Sequence, residues 1–136
     1  EISQKKFIFN YDQYSNVKKI TKSIEIVYGL RNFIGNANKF SKEAIYINLK
    51  SDSEVTEITI EDDGKGYPKD IISKIGEPYL RSNDPIEKSK TGLGLGLFIG
   101  KTLLEKNFAS INCRNSKTRS GAEVIIKWNN KDLFNI

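Results

Sequence analysis

Histidine and methionine are absent from the 136 residues, and cysteine occurs once. A single cysteine excludes an internal disulfide framework and suits a reducing compartment. No apolar run approaches the roughly 20 residues needed to cross a bilayer, and no signal-peptide pattern opens the chain. The first residue is Glu1 and methionine is missing, so the chain reads as a piece of something longer. Long basic runs are lacking too. The 22 Lys and Arg outnumber the 17 Asp and Glu, but they are scattered, as at Lys18-Lys19, Lys88, Lys90 and Lys117. That pattern suits an anionic small-molecule ligand and argues against a nucleic-acid face.

What is present is enough for one domain over 1–136, long enough to bury roughly two-thirds of its unfolded surface. KKFIFN (5–10) reads as a short strand. From about 23 to 41, Val27, Leu30, Ile34 and Ala37 recur at the spacing of an amphipathic helix. AIYINLK (44–50), with Ile45, Ile47 and Leu49 on one face, and EVTEITIED (54–62), with Ile58 and Ile60 inward, flank a short polar linker and predict a hairpin. A short helix is expected at 69–75, and a charged loop over 77–91 has no period of its own. Leu97, Gly100 and Leu104 predict a second long helix ending near Lys106-Asn107. Strands at 109–114 and 122–128, joined by a turn, close the domain. The order predicts an α/β two-layer sandwich, a mostly antiparallel sheet with helices on one face.

TGLGLGLFIGKT (91–102) carries Gly92, Gly94, Gly96 and Gly100. A dinucleotide-binding fingerprint needs a strand running straight into the glycines, and the preceding PIEKSKT has no strand pattern. A P-loop needs four residues between its first glycine and Gly-Lys-Thr. Here Gly96 leaves three and Gly94 five, with the apolar Leu97-Phe98-Ile99 between. A third reading places the glycines at a helix N-terminus, where free backbone N–H groups meet an anion and no Cβ obstructs its approach. Leu93 and Leu95 would then pack inward. An inert glycine hinge is the alternative.

Two further groups bear on the choice. Asn32, Asn36 and Lys39 share a face of the first helix. Simple helical geometry puts Asn36 about 200° from Ile34, roughly opposite the apolar stripe. An amide oxygen can ligate Mg²⁺ and a lysine can sit beside a phosphate, although such a face is also what solvent alone would select. Asp62-Asp63-Gly64-Lys65-Gly66 ends an alternating strand. A carboxylate there can accept from adenine's exocyclic amine and repel guanine's oxygen, while Asp-Gly is also a common turn.

Taken together, Asn-x-x-x-Asn-Ala-x-Lys-Phe-Ser (32–41), Asp-x-Gly-x-Gly (62–66) and Gly-Leu-Gly-Leu-Gly (92–96) resemble the asparagine box and two glycine boxes of histidine-kinase catalytic domains. These belong to the GHKL ATPases, with gyrase, MutL and a heat-shock chaperone. The resemblance runs from about residue 5 to 128, and Ser120-Gly121-Ala122 resembles the family's last glycine element. Gly-Glu-Pro-Tyr (76–79), Gly-Leu-Arg-Asn (29–32) and 96–105 are similar to the RegB/PrrB redox-responsive sensor kinases.

The resemblance implies a Bergerat fold that binds ATP with Mg²⁺. Asn36 would ligate the metal, Asn32 and Lys39 approach the phosphates, and Asp62 read adenine beside Gly64 and Gly66. The run Thr91, Gly92, Leu93, Gly94, Leu95 and Gly96 would lie along the phosphates. Residues 77–91 would form the ATP lid, with Tyr79, Arg81, Lys88 and Lys90 as contacts. Gly76 stands where such kinases carry an aromatic, and Tyr79 takes the place of another, so Gly76 reads as a hinge. The chemistry implied is transfer of the γ-phosphoryl to a histidine on an upstream dimerisation domain, which a response regulator then engages. No catalytic residue lies in this chain, nor does the group's redox-active cysteine, and Cys113 reads as a small buried apolar residue. The cytoplasmic side of a membrane-anchored sensor is implied, without direct membrane contact by this domain. Two rivals are an ATPase clamp and an inactive nucleotide sensor. The clamp would need a general-base carboxylate where Asn32 stands, and an amide cannot serve.

Overall fold

The computed structural model describes residues 5–11, 23–69, 72–75 and 95–133. The elements are β1 (Lys6–Tyr11), α1 (Ile24–Phe40), β2 (Ala44–Ser51), β3 (Val55–Asp62), a 3₁₀ turn (Ile72–Lys74), α2 (Leu95–Lys106), β4 (Ser110–Asn115), β5 (Ala122–Asn129) and α3 (Asn130–Leu133). One five-stranded sheet runs β1-β2-β3-β5-β4. β1 lies parallel to β2, and the other neighbours are antiparallel. A parallel pair needs a crossover rather than a tight turn, and α1 lies in that crossover. The expected two-layer α/β sandwich is what forms.

The β2–β3 hairpin is shaped by Asp52, whose Oδ1 accepts from the N–H groups of Glu54 and Val55 at 2.8 Å each. Ser23 caps α1, its Oγ accepting from Ile26 N at 3.3 Å. Ile45, Ile60, Leu97, Leu104 and Ile126 are almost wholly buried between sheet and helices, with Phe33 of α1 among them. Trp128 closes one end, donating from Nε1 to Asn107 O at 3.0 Å.

Three expectations shift. The buried arc of α1 is Ile26, Gly29, Phe33 and Ala37, with Leu30 and Ile34 packed alongside. The stripe expected from the sequence is turned because α1 packs against α2 as well as the sheet, and a hydrophobicity count passes over Gly29. Asn36 is therefore about 60° around the helix from Phe33, and it flanks the core rather than opposing it. Among the described residues, the helix expected at 69–75 is only the 3₁₀ turn at Ile72–Lys74. The short α3 has no counterpart among the elements expected from the sequence. It is docked by Asn130, which donates to Asp52 O at 2.7 Å and accepts from Thr56 Oγ1 at 2.6 Å.

Candidate functional site

α1 and α2 approach closely because glycines line their crossing. A Cβ on Gly29 would meet Leu104 Cγ at 2.7 Å, and one on Gly100 would meet the Phe33 ring at 3.0 Å and Asn32 Cβ at 3.1 Å. The close crossing sets the first turn of α2 beside Asn32: a Cβ on Gly96 would lie 3.6 Å from Asn32 Oδ1. The Asn32 amide donates from Nδ2 to Tyr28 O at 2.8 Å, which fixes its orientation. Among the described residues α2 runs from Leu95, within the glycine run. The first turn of a helix leaves N–H groups without helical acceptors and carries a partial positive charge. Asn36 is half-buried and Lys39 exposed, the Lys39 ammonium lying 5.4 Å from the Phe40 ring centroid.

Asp62 ends β3 almost fully buried, at 3% exposure. Its Oδ1 accepts from Gly64 N at 2.8 Å and from Ala122 N at 3.2 Å. No hydrogen bond falls on Oδ2 among the described residues. Burial raises the Asp62 pKa above its ordinary value, against the two amides, with Asp63 and Glu61 adding like-charge repulsion. Glycine is demanded on both flanks. A Cβ on Gly64 would come within 2.1 Å of Phe40 O, and one on Gly121 within 2.2 Å of Asp62 Oδ1. Neither carbonyl nor carboxylate could yield that space.

Asp63 points the other way and ties this corner to the end of α1. Its carboxylate accepts from Lys42 N at 2.8 Å and from Glu43 N at 3.2 Å. Burial alone would raise its pKa, but the amides of Lys42, Glu43 and Ala44 together pull it below the ordinary value. Asn115 forms the opposite bracket. Its Oδ1 accepts from Tyr67 N at 2.6 Å and its Nδ2 donates to Tyr67 O at 3.1 Å. Gly66 turns here with φ +80, and a Cβ on it would stand 2.6 Å from Asn115 Oδ1. Beneath lies the buried Tyr67 beside Cys113, whose half-buried thiol is pushed up to about 11 by burial, making it a poor nucleophile.

The structure thus sets Gly96 beside Asn32 on α1 and Gly64, bonded to Asp62, against Phe40 at the end of the same helix, while Asn36 and Lys39 lie along that helix and Gly66 faces Asn115 and Ser120. The first turn of α2 stands on one side and the β3 end on the other. Thr91, Gly92, Leu93 and Gly94 lie outside the described residues, as do Tyr79, Arg81, Lys88, Lys90 and the rest of 77–91. Of Leu95 only the backbone is described. Asp63 and Asn115 were missed by sequence reasoning. Asp63 was visible only as half of a turn dipeptide, and nothing local to Asn115 signals that it clamps Tyr67. Among the described residues there is no group of three or more His, Cys, Asp or Glu able to hold a metal. None of the described helices is long and apolar enough to cross a membrane.

This geometry has relatives. Residues 21–132 match the family described as histidine kinase-, DNA gyrase B- and HSP90-like ATPase. The chain is 39% identical over 124 residues to the sensor histidine kinase RegB of Cereibacter sphaeroides, covering 80% of this chain and 27% of that protein. The chain therefore spans about a quarter of the length of this curated relative. Among solved structures, the mycobacterial sensor histidine kinase MprB superposes with a TM-score of 0.72 at 23% identity, over 93% of this chain and 84% of that one. Full-length ShkA, in complex with AMPPNP, gives 0.67 at 21% identity over 90% of this chain and 25% of that one. The fold is the Bergerat sandwich of histidine-kinase catalytic domains, and the chain belongs to the histidine kinase-, DNA gyrase B- and HSP90-like ATPase family.

Proposed function

We propose that this chain is the ATP-binding catalytic domain of a two-component sensor histidine kinase, supplying the γ-phosphoryl of Mg²⁺-ATP to a histidine on a separate helical domain. The observation that carries the reading is Asp62: a buried carboxylate with Oδ1 taken by two backbone N–H groups and Oδ2 left to a ligand donor. Adenine offers such a donor in its exocyclic amine, whereas guanine presents an acceptor that a carboxylate repels. Gly64 and Gly66 keep side chains away from the base. The α2 N-terminus, Asn32 and Lys39 suit the polyphosphate, together with the glycine run 92–96 and the lid 77–91, whose Arg81, Lys88 and Lys90 add positive charge.

The donor set fits a hard, well-hydrated cation. With no carboxylate cluster among the described residues, an amide such as that of Asn36 suits Mg²⁺, which takes most of its ligands from phosphate and water. The ion supplies charge neutralisation on the phosphates. The chain's own residues position the nucleotide, which is most of what phosphoryl transfer asks of a protein. In the reaction the γ-phosphorus–oxygen bond breaks, a phosphorus–nitrogen bond to imidazole forms, and ADP leaves. This chain would hold the nucleotide, and it carries no histidine to accept the phosphoryl group. The intact protein would accordingly pair this domain with a His-bearing dimerisation domain and a response regulator, on the cytoplasmic side of the membrane.

Calorimetry tests the reading. Wild type should bind ATP, and Asp62→Asn should abolish binding while the circular dichroism spectrum holds. Asn36→Ala should remove the Mg²⁺ dependence of the titration. Unchanged ATP affinity in Asp62→Asn would overturn the assignment.

A further inference from the structure

Glu61 is a buried carboxylate with no part in the site as described. It sits one residue before Asp62 on β3, so the two side chains point to opposite faces of the sheet. In register, Glu61 lies between Tyr46 of β2 and Glu123 of β5, and Glu123 faces Arg114 of β4. Two carboxylates side by side across a strand pair repel. Each is answered by its own arginine. Arg114 pairs with Glu123 from the adjacent strand. Glu61 is paired instead by Arg119, at 3.3 Å, and that arginine comes from the turn between β4 and β5. The Arg119 guanidinium also stacks on Tyr46, 3.5 Å from the ring centroid.

Other groups of the turn converge on Glu61. Ser116 Oγ donates to Glu61 Oε2, and Thr118 Oγ1 donates to the same oxygen at 3.5 Å. Ser116 Oγ in turn accepts from Arg119 N at 3.1 Å, and Ser116 N donates to Gly121 O at 2.7 Å. The turn so held contains Ser120 at φ 64, a conformation a non-glycine residue keeps only where its surroundings enforce it. Immediately after it come Gly121, pressed against Asp62, and Ala122, whose N–H binds Asp62 Oδ1.

We propose that Glu61 is a positioning residue for base selection: from the far face of the sheet it anchors the 116–121 turn, and the turn fixes the Asp62 carboxylate that reads the purine. The inference rests on the ATP reading above and adds to it the device that sets purine specificity. Loss of the Glu61 charge frees Arg119 and lets Ala122 N–H drift from Oδ1. Asp62 then rotates, and its preference for an amine over a carbonyl weakens, while the phosphate-facing groups on α1 and α2 are untouched.

The test compares ATP and GTP, each displacing labelled ATP, in wild type, Glu61→Gln, Arg119→Met, Arg119→Lys and the double variant Glu61→Gln/Arg119→Met. Expected is a loss of about fivefold in ATP affinity for Glu61→Gln and for Arg119→Met, with GTP unchanged, and no further loss in the double. Arg119→Lys should keep most of the discrimination. Arg119 is partly exposed, and the double variant leaves no buried charge unpaired, so it carries the test if a single variant does not fold. An ATP-to-GTP ratio unchanged in the folded single variants, or additive losses in the double, would overturn the proposal while leaving ATP binding in place. Failure of wild type to bind ATP would remove both readings together.

Discussion

Asp62 and Asp63 are adjacent in sequence, yet burial moves the pKa of one up while backbone amides pull the other down. The consequences for stability are opposite in sign. Asp62, raised from its ordinary 3.8, contributes stability that is present at acid pH and lost as pH rises through its folded pKa. Asp63, lowered from 3.8, contributes stability that is present above that value and lost as pH falls through its folded pKa. Ligand binding senses Asp62 directly, because only its ionised form offers Oδ2 as an acceptor to an amine while Oδ1 is held by two backbone N–H groups. ATP affinity should therefore fall as pH is lowered from neutrality toward 3.8, and the fall should be smaller in any Asp62→Asn binding that survives. Calorimetry across that range checks it, and a flat profile in wild type would count against an ionised Asp62 as the acceptor.

Among the elements, the crossing of α1 and α2 decides whether Asn32 meets Gly96. Two glycines of α1 give a contrast within one helix. A Cβ on Gly35 would meet nothing within 4 Å, whereas one on Gly29 would stand 2.7 Å from Leu104. Gly35→Ala should raise stability by about 1 kcal/mol through helix propensity alone. Gly29→Ala gains the same propensity but overpacks the crossing, at a cost of about 1–3 kcal/mol. Urea unfolding should place the two midpoints on opposite sides of wild type. Gly29→Ala should also weaken nucleotide binding, since any shift of α2 carries Gly96 away from Asn32. A Gly29→Ala midpoint above that of wild type would contradict the packing described.

For the whole molecule, the absent histidine and the amide at Asn32 set the limits. The chain should bind Mg²⁺-ATP but acquire no phosphohistidine, since it has no imidazole. Phosphate release should also be slow, because Asn32, tied to Tyr28 O through its amide nitrogen, cannot deprotonate water. Adding a helical His-bearing domain of the kind proposed above should yield an acid-labile, base-stable phosphoramidate. Incubation with γ-labelled ATP is the measurement, and rapid phosphate release by the chain alone would favour a clamp-type ATPase of the same family.

The order of the five strands and the two long helices, the hairpin and the three polar boxes were legible in the sequence because each depends on neighbours a few residues apart. Period, turn chemistry and motif spacing are local properties, and they marked Asn32, Asn36, Asp62 and Gly96 without any coordinates. The absence of histidine needed no structure either. Tertiary contacts decided the rest. α1 faces two partners at once, so its buried arc turned away from the apparent stripe and brought Asn36 to the flank of the core. Asp62 became the buried acceptor and Asp63 the bracket only when strand pairing set them on opposite sides of a corner. Ala122 reaches Asp62 across 60 positions and Asn115 reaches Tyr67 across 48, separations over which no sequence period extends. Burial and charge at the site are made by those long-range contacts, so the identity of the residues was local and their chemistry was not.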